Sequence, residues 1–235
     1  MTNETGTSET DPKPKVHLDI VSDVMCPWCY IGKRRLEAAL EQVKDTDVTV
    51  TWRPYQLDPT LPPEGRDRRE YLETKFGGPE RAKEIYSRIE DAGREENLAF
   101  DFKSIAVSPN TLDAHRVIRW SINEGQEVQD KLVERLFELF FTEGVNIGQH
   151  DVLIKAADEA GMDAAVVAAL LATDQDKDAV SQEIATAQQM GVTGVPCFII
   201  DNKYAVMGAQ SPEHIAAAIQ QAAAQGADTE NGSPG

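Results

Sequence analysis

Cysteine is scarce in this 235-residue chain. There are three, a low and odd number, which excludes a secreted scaffold stapled by disulfides. Long apolar runs are missing too. No stretch reaches the length that crosses a bilayer, and the opening MTNETGTSETDPKPK has no apolar centre of the kind a signal peptide needs. The expectation is a cytoplasmic protein. Basic residues are in deficit, 23 Lys and Arg against 40 Asp and Glu, for a formal charge of -17. Such a surface repels nucleic-acid phosphates and anionic lipid, so neither nucleic acid nor membrane is expected as a partner. It also repels itself unless salt screens it. The acidic excess spreads over nearly the whole chain, which reads as adaptation to a salty, halophilic cytosol rather than as an acidic tail. No internal repeat is present. Apolar residues are plentiful by contrast, 41% of the chain, and suffice for a packed core.

Residues 1–14 are polar and end in Pro-Lys-Pro, and are expected to form a disordered N-terminal segment. Val16 to Val21 reads as a strand, Tyr30 to Val43 as an amphipathic helix, and Val48 to Trp52 as a second strand. Strand, helix, strand at this spacing predicts a parallel pair with a right-handed crossover. Residues 63–187 then read as an inserted all-helical domain. Ser108 and Pro109 predict a helix start, Glu127–Phe141 a second helix, and Asp151 the cap of a third that ends near Gly161. Nine basic residues between Arg53 and Arg94 alternate with acidic ones and predict a salt-bridged helical face rather than a basic patch. Strand signals return at Val195–Ile200 and Tyr204–Met207, a hairpin across Asp201-Asn202-Lys203. A last helix is expected from Ser211 to Ala224, then a flexible tail over 226–235. The α/β part is thus discontinuous, residues 15–62 and 188–225.

The chemistry concentrates in Cys26-Pro27-Trp28-Cys29. Disulfide exchange requires a thiolate, and an ordinary cysteine is mostly protonated at neutral pH. A cysteine at a helix N-terminus faces unpaired N–H groups and the positive end of the helix dipole, which favour the anion by about 0.3–2 kcal/mol. That suffices for a moderate oxidant and not an extreme one, since Trp28 adds no cation. Pro27 suits a first helical turn, because its missing N–H would have gone unpaired. Cys26 is therefore the expected nucleophile and Cys29, one turn inside, the resolving thiol. The same spacing is half of a zinc site, but the remaining half is lacking: only Cys197 and four scattered histidines are available. Neither metal nor cofactor is expected beyond the redox-active Cys26–Cys29 disulfide.

The run Asp23-Val24-Met25-Cys26-Pro27-Trp28-Cys29-Tyr30-Ile31-Gly32, with Gly194-Val195-Pro196 before a strand, resembles the DsbA-like thioredoxin family, and more narrowly its FrnE-like branch. Arg53-Pro54-Tyr55-Gln56-Leu57, Arg69-Glu70-Tyr71-Leu72 and Asn110-Thr111-Leu112-Asp113-Ala114-His115-Arg116 extend the resemblance from Val16 to Ala218. It implies an α/β thioredoxin-like fold interrupted by a helical domain, and a thiol-disulfide oxidoreductase acting on protein or small-thiol disulfides. It further implies a cis peptide at Val195–Pro196 beside the cysteines, with the Val195 backbone pairing with an extended substrate. Kappa-class glutathione transferases and 2-hydroxychromene-2-carboxylate isomerases are similar in fold but typically carry serine where this chain has Cys26. A non-enzymatic chaperone-like binding module is the reading from another class. Among lesser candidates, Asp23 reads as a proton relay or a simple cap. His115 and Arg116 read as groove-facing groups or as a helix–helix contact. Trp28 reads as an apolar surface for a partner, and Cys197 as a buried spectator.

Overall fold

The computed structural model describes residues 13–231. Six strands and nine helices follow in the order β1 (Lys15–Ser22), α1 (Pro27–Leu40), β2 (Asp47–Pro54), β3 (Arg66–Asp67), α2 (Arg68–Phe76), α3 (Pro79–Glu95), β4 (Val107–Ser108), α4 (Leu112–Ser121), α5 (Gln126–Phe141), α6 (His150–Ala160), α7 (Ala164–Leu171), α8 (Lys177–Gln189), β5 (Cys197–Ile200), β6 (Tyr204–Met207) and α9 (Pro212–Asn231). A short 3₁₀ turn, Ile122–Glu124, joins α4 to α5. The main sheet has the order β2-β1-β5-β6. β1 runs parallel to β2, as the βαβ spacing requires, and antiparallel to β5. Side chains alternate across it with the strand period of two. Leu18, Ile20, Phe198 and Ile200 enter the large core, and Val21, Cys197 and Ile199 a smaller one. The large core is continuous from the sheet through Tyr30 and Ile31 to Leu136, Phe137 and Leu153, so the helical insertion and the sheet share one interior.

Several boundaries differ from the sequence expectation. Lys13 and Pro14 are tied down at the edge of the sheet: Asp47 N–H donates to the Pro14 carbonyl at 2.8 Å. Residues 1–12, the rest of the expected disordered segment, lie outside the described residues. The segment 63–187 is not wholly helical, because β3 and β4 form a two-stranded antiparallel ribbon with Arg66 opposite Ser108. This ribbon explains why no helix starts at Ser108–Pro109. Ser108 is drawn into strand pairing, and the capping function passes to Asn110, whose side-chain oxygen accepts from the Leu112 N–H at 2.9 Å. Gln149, not Asp151, stands before α6, which puts Asp151 inside the first turn, where a carboxylate favours the helix dipole. At the other end, α9 continues past Ala224 to Asn231, since no glycine in a left-handed turn or proline stops it. The expected tail over 226–235 is thus helical to residue 231, and 232–235 fall outside the described residues. No helix among the described residues is long and apolar enough to cross a membrane.

Candidate active site

The site begins where β1 stops. After Ser22 the chain turns sharply, with the Cys26 N–H donating to the Asp23 carbonyl at 2.9 Å. Cys26 then takes the N-cap of α1 in an extended conformation, φ -94° and ψ 113°, with Pro27 following as the first helical residue. Its side chain caps nothing, and the first turn contains no acidic residue. The sulfur therefore sits at the positive end of the helix with no competing anion in that turn. Cys29 lies one turn in, its N–H donating to the Cys26 carbonyl at 3.0 Å. Cys26 retains 4% exposure and Cys29 none. All three cysteines are free thiols. Burial pushes the Cys29 thiol well above its usual pKa, and the hydrogen bond and charge of the neighbouring Cys26 push it further.

Opposite the pair, the peptide between Val195 and Pro196 is cis. The Val195 carbonyl accepts a contact of 3.7 Å from Cys26 Sγ. Pro196 is wedged against α1 at Gly32, where a Cβ would lie 2.8 Å from Pro196 Cγ and 3.4 Å from the Phe198 ring. Gly32 is thus a site residue that sequence reading quoted but left without a role. The signal was a glycine inside a helix, which costs stability unless close approach demands it.

Asp23 is fully buried just before the motif. Its carboxylate accepts from the Met25 N–H at 3.3 Å and the Leu57 N–H at 2.8 Å, tying the cysteine turn to the segment after β2. His115, from α4, comes within 3.4 Å of the same carboxylate, yet neither of its ring nitrogens makes a well-oriented hydrogen bond. The structure thus brings Asp23 and His115 together beside the motif. Arg116 is not with them. It is buried facing the other way, donating to the carbonyls of Leu170, Thr173 and Gln175 at 2.7–2.9 Å, pairing with Asp113 and stacking on Trp120. It fastens the connection between α7 and α8, the helix-contact reading of this residue. Trp28 is 37% exposed next to the cysteines. Cys197 opens β5 within the smaller core, and burial alone raises its pKa to about 11. Among the described residues no three His, Cys, Asp or Glu side chains gather in a way that would hold a metal ion.

The expected salt-bridged face between Arg53 and Arg94 is realised only in part. Arg88 pairs with Glu84 and Arg94 with Asp91. Arg68 and Arg69, by contrast, have no carboxylate within 4.0 Å among the described residues.

The fold is shared with known proteins. The model of the DSBA-like thioredoxin domain matches residues 17–220. The uncharacterized protein YwbO of Bacillus subtilis is 30% identical over 192 residues, spanning 79% of this chain and 86% of its own. The crystal structure of a probable DsbA oxidoreductase from Streptomyces coelicolor superposes with a TM-score of 0.79 at 30% identity, covering 88% of this chain and 89% of that one. A 2-hydroxychromene-2-carboxylate isomerase shares the fold at a TM-score of 0.66 and 14% identity, over 91% of this chain and 98% of its own. With the cysteine turn, the cis-proline and nearly all of the four-stranded sheet inside the matched span, this chain belongs to the DSBA-like thioredoxin domain family.

Proposed function

We propose that the protein is a thiol-disulfide oxidoreductase that exchanges disulfides through Cys26 and Cys29. The observation that carries this reading is the placement of Cys26 Sγ at the N-terminus of α1, facing the Val195 carbonyl, with a buried Cys29, whose pKa that burial raises, one turn behind it. In the reducing direction, the Cys26 thiolate attacks one sulfur of a client disulfide. A Cys26–client mixed disulfide forms and the client's other sulfur leaves as a thiolate. Cys29 then gives up its proton and attacks Cys26 Sγ, closing the Cys26–Cys29 disulfide and releasing the second client thiol. Two electrons pass to the client, and the oxidising direction is the reverse. The Val195 main chain offers an extended client a hydrogen-bonding edge beside the nucleophile, and Trp28 an apolar contact. Asp23, whose backbone hydrogen-bonds Cys29, and His115 beside its carboxylate are buried groups suited to accept the Cys29 proton.

Trapping on a non-reducing gel tests the assignment. Cys29→Ser should accumulate reductant-sensitive adducts with client proteins, and Cys26→Ser should form none. Adducts on Cys26→Ser instead would reverse the two roles. Conjugation of glutathione that survives in Cys29→Ser would move the protein to the transferase and isomerase branch of the fold. A binding module would show no turnover of insulin disulfides. The buried Cys29 also sets a pH dependence. Its proton must leave before the mixed disulfide resolves, so the resolving step should quicken with pH and keep rising past about 8.5, the ordinary cysteine value. A plateau well below that pH would contradict the role given to burial.

A further inference from the structure

Arg68 opens α2 and is only 4% exposed. Its Nη2 donates to the Tyr86 hydroxyl at 2.8 Å and its Nη1 to Ser108 Oγ at 3.5 Å, while Nε has no partner. The guanidinium lies over the rings of Tyr86 and Phe140, 5.5 and 5.3 Å from their centroids. All of these neighbours are neutral, and an arginine cannot shed its proton to escape burial. A buried charge without a counter-ion is costly, and aromatic faces compensate for only part of it.

Arg68 lines a cavity of about 380 Å³ between α2, α3 and the connection that leads to β4. Arg69, Lys83 and Lys103 also line this cavity, and none of them has a carboxylate within 4.0 Å among the described residues. In a chain with 40 acidic residues, Glu73 is the single carboxylate in the lining. Much of the remaining wall is apolar, notably Leu72 and Phe102. A buried positive group within, exposed cations around it and apolar walls are the features of a site for an anion with an apolar body.

We propose that this cavity binds a small organic carboxylate, its head group drawn to Arg68 and the neighbouring lysines and its apolar body laid against Phe102 and Tyr86. Inorganic anions would satisfy the cations but leave the apolar walls in water. The site is independent of the cysteine chemistry, and its failure would leave the redox reading untouched.

Calorimetric titration of the full chain at constant ionic strength tests it, with sodium phenylacetate as the probe. Neutral 2-phenylethanol supplies the body without the charge, and sodium sulfate the charge without the body. Phenylacetate should saturate one site per chain, about tenfold or more tighter than either control. Arg68→Met should weaken it about tenfold or more, and Arg68→Lys should retain most of the binding. The double variant Lys83→Gln/Lys103→Gln changes exposed positions only, so folding is not at stake, and should weaken binding a few-fold. The proposal is overturned by absence of saturation below about 10 mM, by 2-phenylethanol or sulfate binding as tightly as phenylacetate, or by undiminished binding in both Arg68→Met and the lysine double variant.

Discussion

Lys33 and Arg68 are two cations buried to the same depth, 3% and 4% exposed, with opposite surroundings. Lys33, on α1 just behind the cysteines, meets three carboxylates, Glu37 at 2.6 Å, Asp130 at 3.0 Å and Glu134 at 3.2 Å. Burial alone would lower its pKa, but Asp130, Glu37 and Glu134 outweigh that and raise it. Arg68 meets only hydroxyls and aromatic faces, and burial pulls its pKa down with no carboxylate to oppose it. The first cation is a fastening between α1 and α5, and its charge is used up within the fold. The second leaves its charge free to act on something outside the chain. Depth of burial therefore does not separate structural from functional charges; the identity of the neighbours does.

The strongest way to break this comparison is Lys33→Met. Removing the cation leaves Asp130 without an ion pair and Glu37 and Glu134 with Arg34 alone, and stability should fall by about 2–4 kcal/mol in urea unfolding. The lower half of that range is favoured because Glu37 and Asp130 are half-exposed and screened by water. A loss below about 0.5 kcal/mol would erase the contrast. Salt sharpens it. Raising potassium chloride from about 0.1 to 2 M should raise the melting temperature of the native chain, because screening weakens repulsion among its acidic groups. The gain should be larger for Lys33→Met, in which Asp130 keeps no ion pair and Arg34 alone serves Glu37 and Glu134. A flat profile for the native chain would remove the halophilic reading. Arg68→Met comes next in size. Replacing an uncompensated charge by an apolar side chain of similar length should leave stability within about 1 kcal/mol of native, on either side. A loss as large as that of Lys33→Met would mean that Arg68 is structural after all.

The smallest effect concerns the thiols, where the same distinction applies. Cys29 is buried beside a second thiol, Cys26, whereas Cys197 is buried among apolar side chains. With its pKa near 11, Cys197 should react with iodoacetamide at pH 8 about two orders of magnitude more slowly than an ordinary cysteine. Cys197→Ala should leave disulfide exchange within a factor of about two, under 0.5 kcal/mol on the barrier. A tenfold loss in a folded variant would make Cys197 a participant.

What could be read in the sequence followed contiguity. The turn into Cys26, the proline at the first helical position and the strand–helix–strand order depend on residues close together in the chain, where dihedral preferences and helix and strand periodicities act directly. The Lys33–Glu37 pair has the same local character, four residues apart on one helix. Its other partners, Asp130 and Glu134, lie far along the chain and became visible only in the packed structure. The missed ribbon at Ser108 has the same cause, since its partner strand at Arg66 lies some forty residues earlier and outcompetes a local helix start.

Local sequence by itself thus determined the cysteine turn, the proline that opens α1 and the class of fold that presents the thiols. Tertiary structure alone decided which charges are spent. Arg68 sits among many acidic residues in sequence, but Glu64, four residues before it, falls outside α2, and its helical neighbours at the next turn, Tyr71 and Leu72, carry no charge. Whether an Asp or Glu from another element would reach it depended on how α2 packs against α3 and β4. That packing, driven by burial of apolar surface, set Tyr86, Ser108 and Phe140 around the guanidinium, and no local propensity encodes such an outcome.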